Sequence, residues 1–166
     1  MKNLMLPLLL IFILNVSAQK VKKVEKVSDY TTYVKGNNFE GVIFSEKYIN
    51  MLSKVNGKKF TPGTNDILIV EKLLPLGLDT IKDATNHKFF VKNHLKKYLR
   101  QYFGYIDKNG DKIIYINVFW DNSENKSEKR WLNDIIEVLD GGDYFWQIKV
   151  NLTTHQLFDF AVNGEA

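Results

Sequence analysis

YLRQYFGYIDKNGDKIIYINVFW, residues 98–120, carries the pattern that decides the fold. Two runs of period-two alternation, Tyr98–Ile106 and Ile113–Trp120, flank Asp107-Lys108-Asn109-Gly110-Asp111. Asn-Gly tolerates positive φ, so the pair predicts an antiparallel hairpin. In the second run Ile114, Ile116, Val118 and Trp120 form one unbroken apolar face, against Ile113, Tyr115, Asn117 and Phe119 on the other. The pattern returns downstream. Tyr144, Trp146, Ile148, Val150 and Leu152 alternate with Phe145, Gln147, Lys149 and Asn151, as a half-buried strand requires. After Thr153-Thr154-His155, Phe158, Phe160 and Val162 alternate with Asp159, Ala161 and Asn163, which predicts a second hairpin.

Upstream the period changes to that of a helix. Ile67, Val70, Leu74, Leu78 and Ile81 make one stripe, with a start at Thr61-Pro62 or Thr64. Pro75 predicts a kink or stop inside it. Leu68, Ile69, Leu73 and Leu76 widen the apolar surface, so the helix is expected to be buried on more than one side. A shorter helix is expected from Ser45 through Val55, with Tyr48, Leu52 and Val55 on one face and Asn56-Gly57 as its stop. Residues 19–40 are rich in Lys and Val and read as an extended lead-in, with an edge strand near Tyr30–Val34. Ser127–Asp140 fits either a helix, through Trp131, Ile135, Val138 and Leu139, or a strand over Ile135–Leu139. The strand, ending at Asp140-Gly141-Gly142-Asp143, is the preferred reading.

A helix followed by hairpins gives an α+β domain: one main helix on an antiparallel sheet of four to five strands, with a short extra N-terminal helix. That order resembles cystatin-like folds. The terminal hairpin, Lys149–Thr154 to Leu157–Gly164, resembles the ending of the small exported modules called PepSY-like. The resemblance implies binding or inhibition and supplies no catalytic residues.

At the amino end, Lys2 precedes an apolar run of eleven residues, Leu4–Leu14, followed by the small residues Ser17 and Ala18. This is the pattern of a cleaved signal peptide over residues 1–18, and the run is shorter than the ~20 residues of a membrane-spanning helix. The expected organisation is therefore a leader (1–18), a lead-in (19–40) and one domain (41–166) of a periplasmic or secreted bacterial protein. There are no cysteines, which excludes disulfides, thiol nucleophiles and thiolate metal sites. The chain has 23 basic and 19 acidic residues. Removing Lys2 with the leader leaves 22 − 19 = +3, too mild a charge to argue for nucleic acid.

Motifs for chemistry are few. Asp107, Asn109 and Asp111 match the first, third and fifth ligand positions of an EF-hand loop, but Lys112 and Val118 stand where Gly and Glu are needed. A hairpin turn accounts for the same residues. His87 and His94 are seven apart, wider than a zinc pair, and His155 lies in a turn. No nucleophile motif is present. No catalytic residue, metal or cofactor is assigned.

Two binding surfaces are expected. The first is the second sheet face: Tyr115, Phe119 and Phe145 are predicted to be exposed among Gln147 and Lys149, unless residues 45–55 or the lead-in cover them. The second is the basic segment Lys88, Lys92, Lys96, Lys97 and Arg100, with Phe89, Phe90 and Tyr98 interleaved, suited to an anionic glycan or lipid headgroup. The leading expectation is an exported non-catalytic binding domain whose partner is a protein, a glycan or an envelope component. The rival is a small hydrolase or isomerase with a cone-shaped pocket, which needs His94, Asp140 or Asp159 inside that pocket.

Overall fold

The computed structural model describes residues 20–49, 57–82, 87–121 and 129–164. The expected leader lies outside them. The strands are β1 (Val21–Lys26), β2 (Thr31–Gly36), β3 (Glu40–Phe44), β4 (Lys58–Phe60), β5 (Tyr98–Ile106), β6 (Lys112–Trp120), β7 (Phe145–Asn151) and β8 (Gln156–Val162). They form one sheet in the order β1-β2-β3-β5-β6-β7-β8, with β4 beside the second half of β5. Eight strands replace the four to five expected.

Both hairpins form where the alternation places them. Tyr98 opposes Trp120 and Ile106 opposes Lys112, while Asn151 opposes Gln156 across the terminal turn. At the first turn Asp107 Oδ1 accepts the Asn109 and Asp111 N–H groups at 2.8 and 3.0 Å, and Gly110 adopts φ 87°. Most of the sheet is antiparallel, but β3 runs parallel to β5. Parallel neighbours need a long crossover, which here carries both helices: α1 (Thr64–Gly77) and α2 (His87–Asn93).

The extra strands come largely from the lead-in. Val21–Lys26 and Thr31–Gly36 are part of the sheet, and β2 is an interior strand paired on both sides. Its β-branched and aromatic residues pack Val34 into the core. The lysines that make this region look loose lie mostly on β1, the true edge, where exposed charge discourages pairing with other chains. Ser45–Tyr48 form a turn closed by Tyr48 N–H to Ser45 O at 3.0 Å, and residues 50–55 of the short helix expected there lie outside the described residues.

α1 starts where the Gly63 N–H donates to Asp66 Oδ2 at 2.9 Å, the reach-back half of a capping box. Ile67, Val70, Leu74 and Leu78 are buried as the stripe predicts, over Tyr98, Tyr102, Ile114, Ile116, Val118, Trp146, Ile148 and Val150. Burial on several sides is not observed: Ile69 is exposed and Leu76 is 60% exposed. The helix runs two residues past Pro75, because the proline falls in the last turn and breaks few bonds there, then tightens into a 3-10 turn at Leu78–Thr80. A Cβ on Gly77 would lie 2.6 Å from Leu157 Cδ1, so a glycine here lets the helix end close on β8.

Residues 129–141, between β6 and β7, form neither an α-helix nor a strand. After a 3-10 turn at Arg130–Leu132 the segment runs irregularly to Gly141, across the face opposite α1. β5, β6 and β7 already pair with one another, so no ladder is open to a strand at this position. Trp131, Leu132, Ile135 and Ile136 of this strap pack on Val42, Phe44, Leu99 and Phe119, making a second core.

Candidate functional site

The strap overturns the exposed aromatic face. Tyr115 is 2% exposed and Phe119 is fully buried. Strand parity places both opposite α1 as expected, but Phe119 lies against Trp131, and Tyr115 packs with Tyr105 and Ile113. Burial raises the Tyr115 pKa, with Glu137 of the strap adding to the rise. Phe145 is half-buried beneath Gly141, where a Cβ would stand 2.5 Å from its ring. Gln147 is half-buried. Lys149 ion-pairs with Asp159 Oδ2 at 2.9 Å, its ammonium 5.9 Å from the centre of the Phe158 ring.

The residue that sequence reasoning missed on this face is Gln101. Its Nε2 donates to the carbonyls of Trp131 and Asp134 at 2.9 and 2.7 Å, and its Oε1 accepts the Ile136 N–H at 3.0 Å. Asn117 Nδ2 donates to Gln101 Oε1 at 3.0 Å and to Ile136 O at 2.7 Å. The signal was an amide at a strand position directly opposite Asn117 in the hairpin register.

The basic segment divides. Arg100 is no surface residue: β5 has begun at Tyr98, so Arg100 shares the parity of Tyr98 and Tyr102 and points at α1. Its Nη1 and Nη2 donate to Tyr98 O and Leu95 O, both at 2.9 Å. Nε stands 2.9 Å from Glu71 Oε1 without a well-directed N–H bond, so that contact is chiefly coulombic. Tyr102 Oη donates to the same carboxylate oxygen at 2.8 Å. Burial raises the Glu71 pKa, opposed by Arg100 and by the Tyr102 hydroxyl, and raises that of Tyr102 as well. This group is sealed in the main core and has no route to a ligand.

The remaining lysines surround one end of the sheet. Lys88 Nζ donates to Ile81 O at 2.5 Å, Lys92 pairs with Asp79 at 2.5 Å, and Lys96 and Lys97 are exposed. Beside them a chain of rings rises from the core to the surface. Trp146 meets Tyr98 edge-on at 5.6 Å, Tyr98 meets Trp120 at 5.1 Å, and Trp120 meets Tyr144 at 5.0 Å. Phe90 of α2 completes the outer layer, 4.3 Å from His94 and 6.1 Å from Tyr144. Tyr144 is 49% exposed, and Phe89 is exposed next to Phe90, with Lys88 Nζ 5.5 Å from its ring centre. The 3-10 turn Gly142–Tyr144 presents Tyr144, and Asp121 N–H bonded to Lys97 O at 2.8 Å fixes Lys97 next to the end of β6.

At the same end His87 Nδ1 and Asp143 Oδ1 are 2.7 Å apart, and Tyr98 Oη donates to Asp143 O at 2.8 Å. His94 Nδ1–H donates to Phe90 O at 2.8 Å. The histidines do not converge, and among the described residues no group of three His, Asp or Glu is arranged to hold a metal. Asp159 is engaged by Lys149, and Asp140 lies exposed at the strap's end. Among the described residues no helix is long and apolar enough to cross a membrane. No protein-family model, curated protein or solved structure matches this chain.

Proposed function

We propose that the protein is an exported, non-catalytic binding domain whose contact surface is the aromatic and lysine-rimmed end of the sheet. One observation carries the reading: Tyr144, Phe89, Phe90 and Trp120 bring aromatic surface to solvent beside Lys96 and Lys97. Rings of this kind stack on flat apolar or sugar faces, and ammonium groups on their rim select anionic ligands. The partner that fits is an acidic glycan or another anionic envelope component. Export rests on the leader pattern at residues 1–18. The PepSY-like likeness of the terminal hairpin points to the same class of role. Affinity electrophoresis in polygalacturonate and in neutral dextran tests it. Retardation by the acidic polymer alone, reduced at least tenfold in affinity by Tyr144→Ala and by Lys96→Glu with Lys97→Glu, is expected. Equal migration in both gels would remove the reading.

A second reading, the small hydrolase or isomerase, is favoured by the His87–Asp143 pair, since a carboxylate on Nδ1 is how a catalytic imidazole is oriented. It requires ester or related turnover that His87→Gln abolishes while polymer binding is retained.

A further inference from the structure

We propose that the His87–Asp143 pair makes the aromatic end of the sheet a pH-dependent binder, which holds its anionic ligand more tightly in mild acid than above neutrality. This rests on the contact surface proposed above and adds its regulation.

The place of the pair is the first reason. Asp143 directly precedes Tyr144 in the 3-10 turn Gly142–Tyr144 that presents the exposed ring. His87 is the first residue of α2 and lies three residues before Phe90, on the same side of the helix. The 2.7 Å contact between His87 Nδ1 and Asp143 Oδ1 therefore joins the two elements that supply the outer rings, Phe90 and Tyr144, whose centres are 6.1 Å apart. The two side chains are 27% and 24% exposed, so the pair lies open both to solvent protons and to a ligand on the rings. Tyr98 Oη, donating to Asp143 O at 2.8 Å, pins the backbone that carries the carboxylate.

The charges around the pair are the second reason. Two 3-10 turns pack on α2. Leu78–Thr80 brings Asp79, which Lys92 answers, and Gly142–Tyr144 brings Asp143 and the Tyr144 phenol. β6 reaches α2 with the uncharged Trp120 ring, 6.2 Å from Phe90. β5 brings Tyr98, whose pKa is raised by burial and further by the charge of Asp143, so that it stays a neutral phenol. On α2 itself Lys88 donates to Ile81 O, and just beyond it His94 donates to Phe90 O. Lysine and carboxylate charges are constant between pH 5.5 and 8, whereas imidazole is the side chain that titrates there. With His87 protonated, the pair carries no net charge. With His87 neutral, the Asp143 carboxylate is uncompensated beside Tyr144 and repels an anion seated on the rings. Lys96 and Lys97 attract that anion at both values, so the pair sets how tightly it is held.

Affinity electrophoresis of the full chain in polygalacturonate at pH 5.5 and pH 8, with dextran as the reference gel, gives the first test. Wild type is expected to bind at least threefold more tightly at pH 5.5. His87→Gln keeps a donor for Asp143 but carries no charge, and is expected to show the wild type's pH 8 affinity at both values. Asp143→Asn is expected to bind more tightly than wild type at pH 8, and His94→Gln to keep most of the wild-type difference. Equal wild-type affinity at the two values overturns the regulation and leaves the contact surface standing, whereas no retardation at either value overturns both. A difference that survives His87→Gln undiminished also overturns the regulation. The second test needs no ligand and no variant: the His87 ring should change charge between pH 5.5 and 8 by the shift of its Cε1 proton, and a ring that keeps one charge state overturns the proposal.

Discussion

The buried group of Glu71, Arg100 and Tyr102 allows a sharp test of how the main core is held. Arg100 and Glu71 are both buried and 2.9 Å apart, and Arg100 also satisfies the carbonyls of Tyr98 and Leu95. Arg100→Met removes the cation and both carbonyl bonds at once. Each bond from a charged donor is worth ~1.5–3 kcal/mol, so losing the two costs ~3–6 kcal/mol. Against a total stability of ~5–15 kcal/mol, that is a large fraction. With a urea m-value of ~1–3 kcal/mol/M, the midpoint should fall by roughly 2 M.

Glu71→Gln should behave differently. Burial raises the Glu71 pKa, so the neutral carboxyl is the form the site favours, and glutamine resembles it while still accepting the Tyr102 hydroxyl. Its cost should be about 1 kcal/mol or less, within the range of a single adjusted hydrogen bond. The pH dependence has a definite sign. A carboxyl whose folded pKa exceeds its ordinary value of 4.5 contributes stability below that value and loses it as pH rises through the folded pKa. Wild type should therefore lose ground to Glu71→Gln as pH rises from 4 towards 8. Urea midpoints across that range measure both effects. If Glu71→Gln costs as much as Arg100→Met, the ion pair rather than the hydrogen-bonded acid holds the site, and the reasoning fails.

Trp146→Ala and Ile116→Ala should each cost about 2–5 kcal/mol in denaturant unfolding, since both side chains are buried under α1. Asn117→Ala should cost ~1–3 kcal/mol by the same assay, because it leaves the Ile136 carbonyl without its donor; Gln147→Ala should cost less than half of that. Calorimetric titration with calcium should give no micromolar site, because Asp107 Oδ1 is already bonded to two backbone N–H groups and Lys112 and Val118 replace the Gly and Glu of an EF-hand. Secreted from a bacterial host, the mature chain should begin at Gln19 by mass spectrometry; an intact Met1–Ala18 on the soluble pool would refute export.

What the sequence made legible was what local periodicity controls. The two hairpins follow from alternation and from Asn109-Gly110, and the α1 stripe from Ile67, Val70, Leu74 and Leu78. Pairing between distant strands leaves no such trace. Nothing local to Glu40–Phe44 says that it lies parallel to Leu99–Phe103, some 59 residues on (99 − 40 = 59); the charge on β1 hid that strand, so the strand near Tyr30–Val34 reads as an edge and is interior. Arg100 was misplaced for a related reason: a basic run was read as one surface, although the change from turn to strand at Tyr98 turns alternate residues inward.

The candidate sites show the same division. The rings at residues 89, 90, 120 and 144 are scattered along the chain, and only the meeting of α2 with the ends of β6 and β7 assembles them. The strap is the more instructive case. Ile135-Ile136-Glu137-Val138-Leu139 has the composition of a strand, yet a strand needs an open edge, and among the described residues the edges of this sheet are β1, β8 and the outer side of β4. Laid over the middle of the sheet, its carbonyls and amides must find partners elsewhere or remain buried without them. Gln101, Asn117 and Asn163 supply those partners. A polar residue at an inward strand position is costly unless something answers it. The amides at 101 and 117 thus required a covering segment with free backbone groups, though neither residue could say which segment that would be.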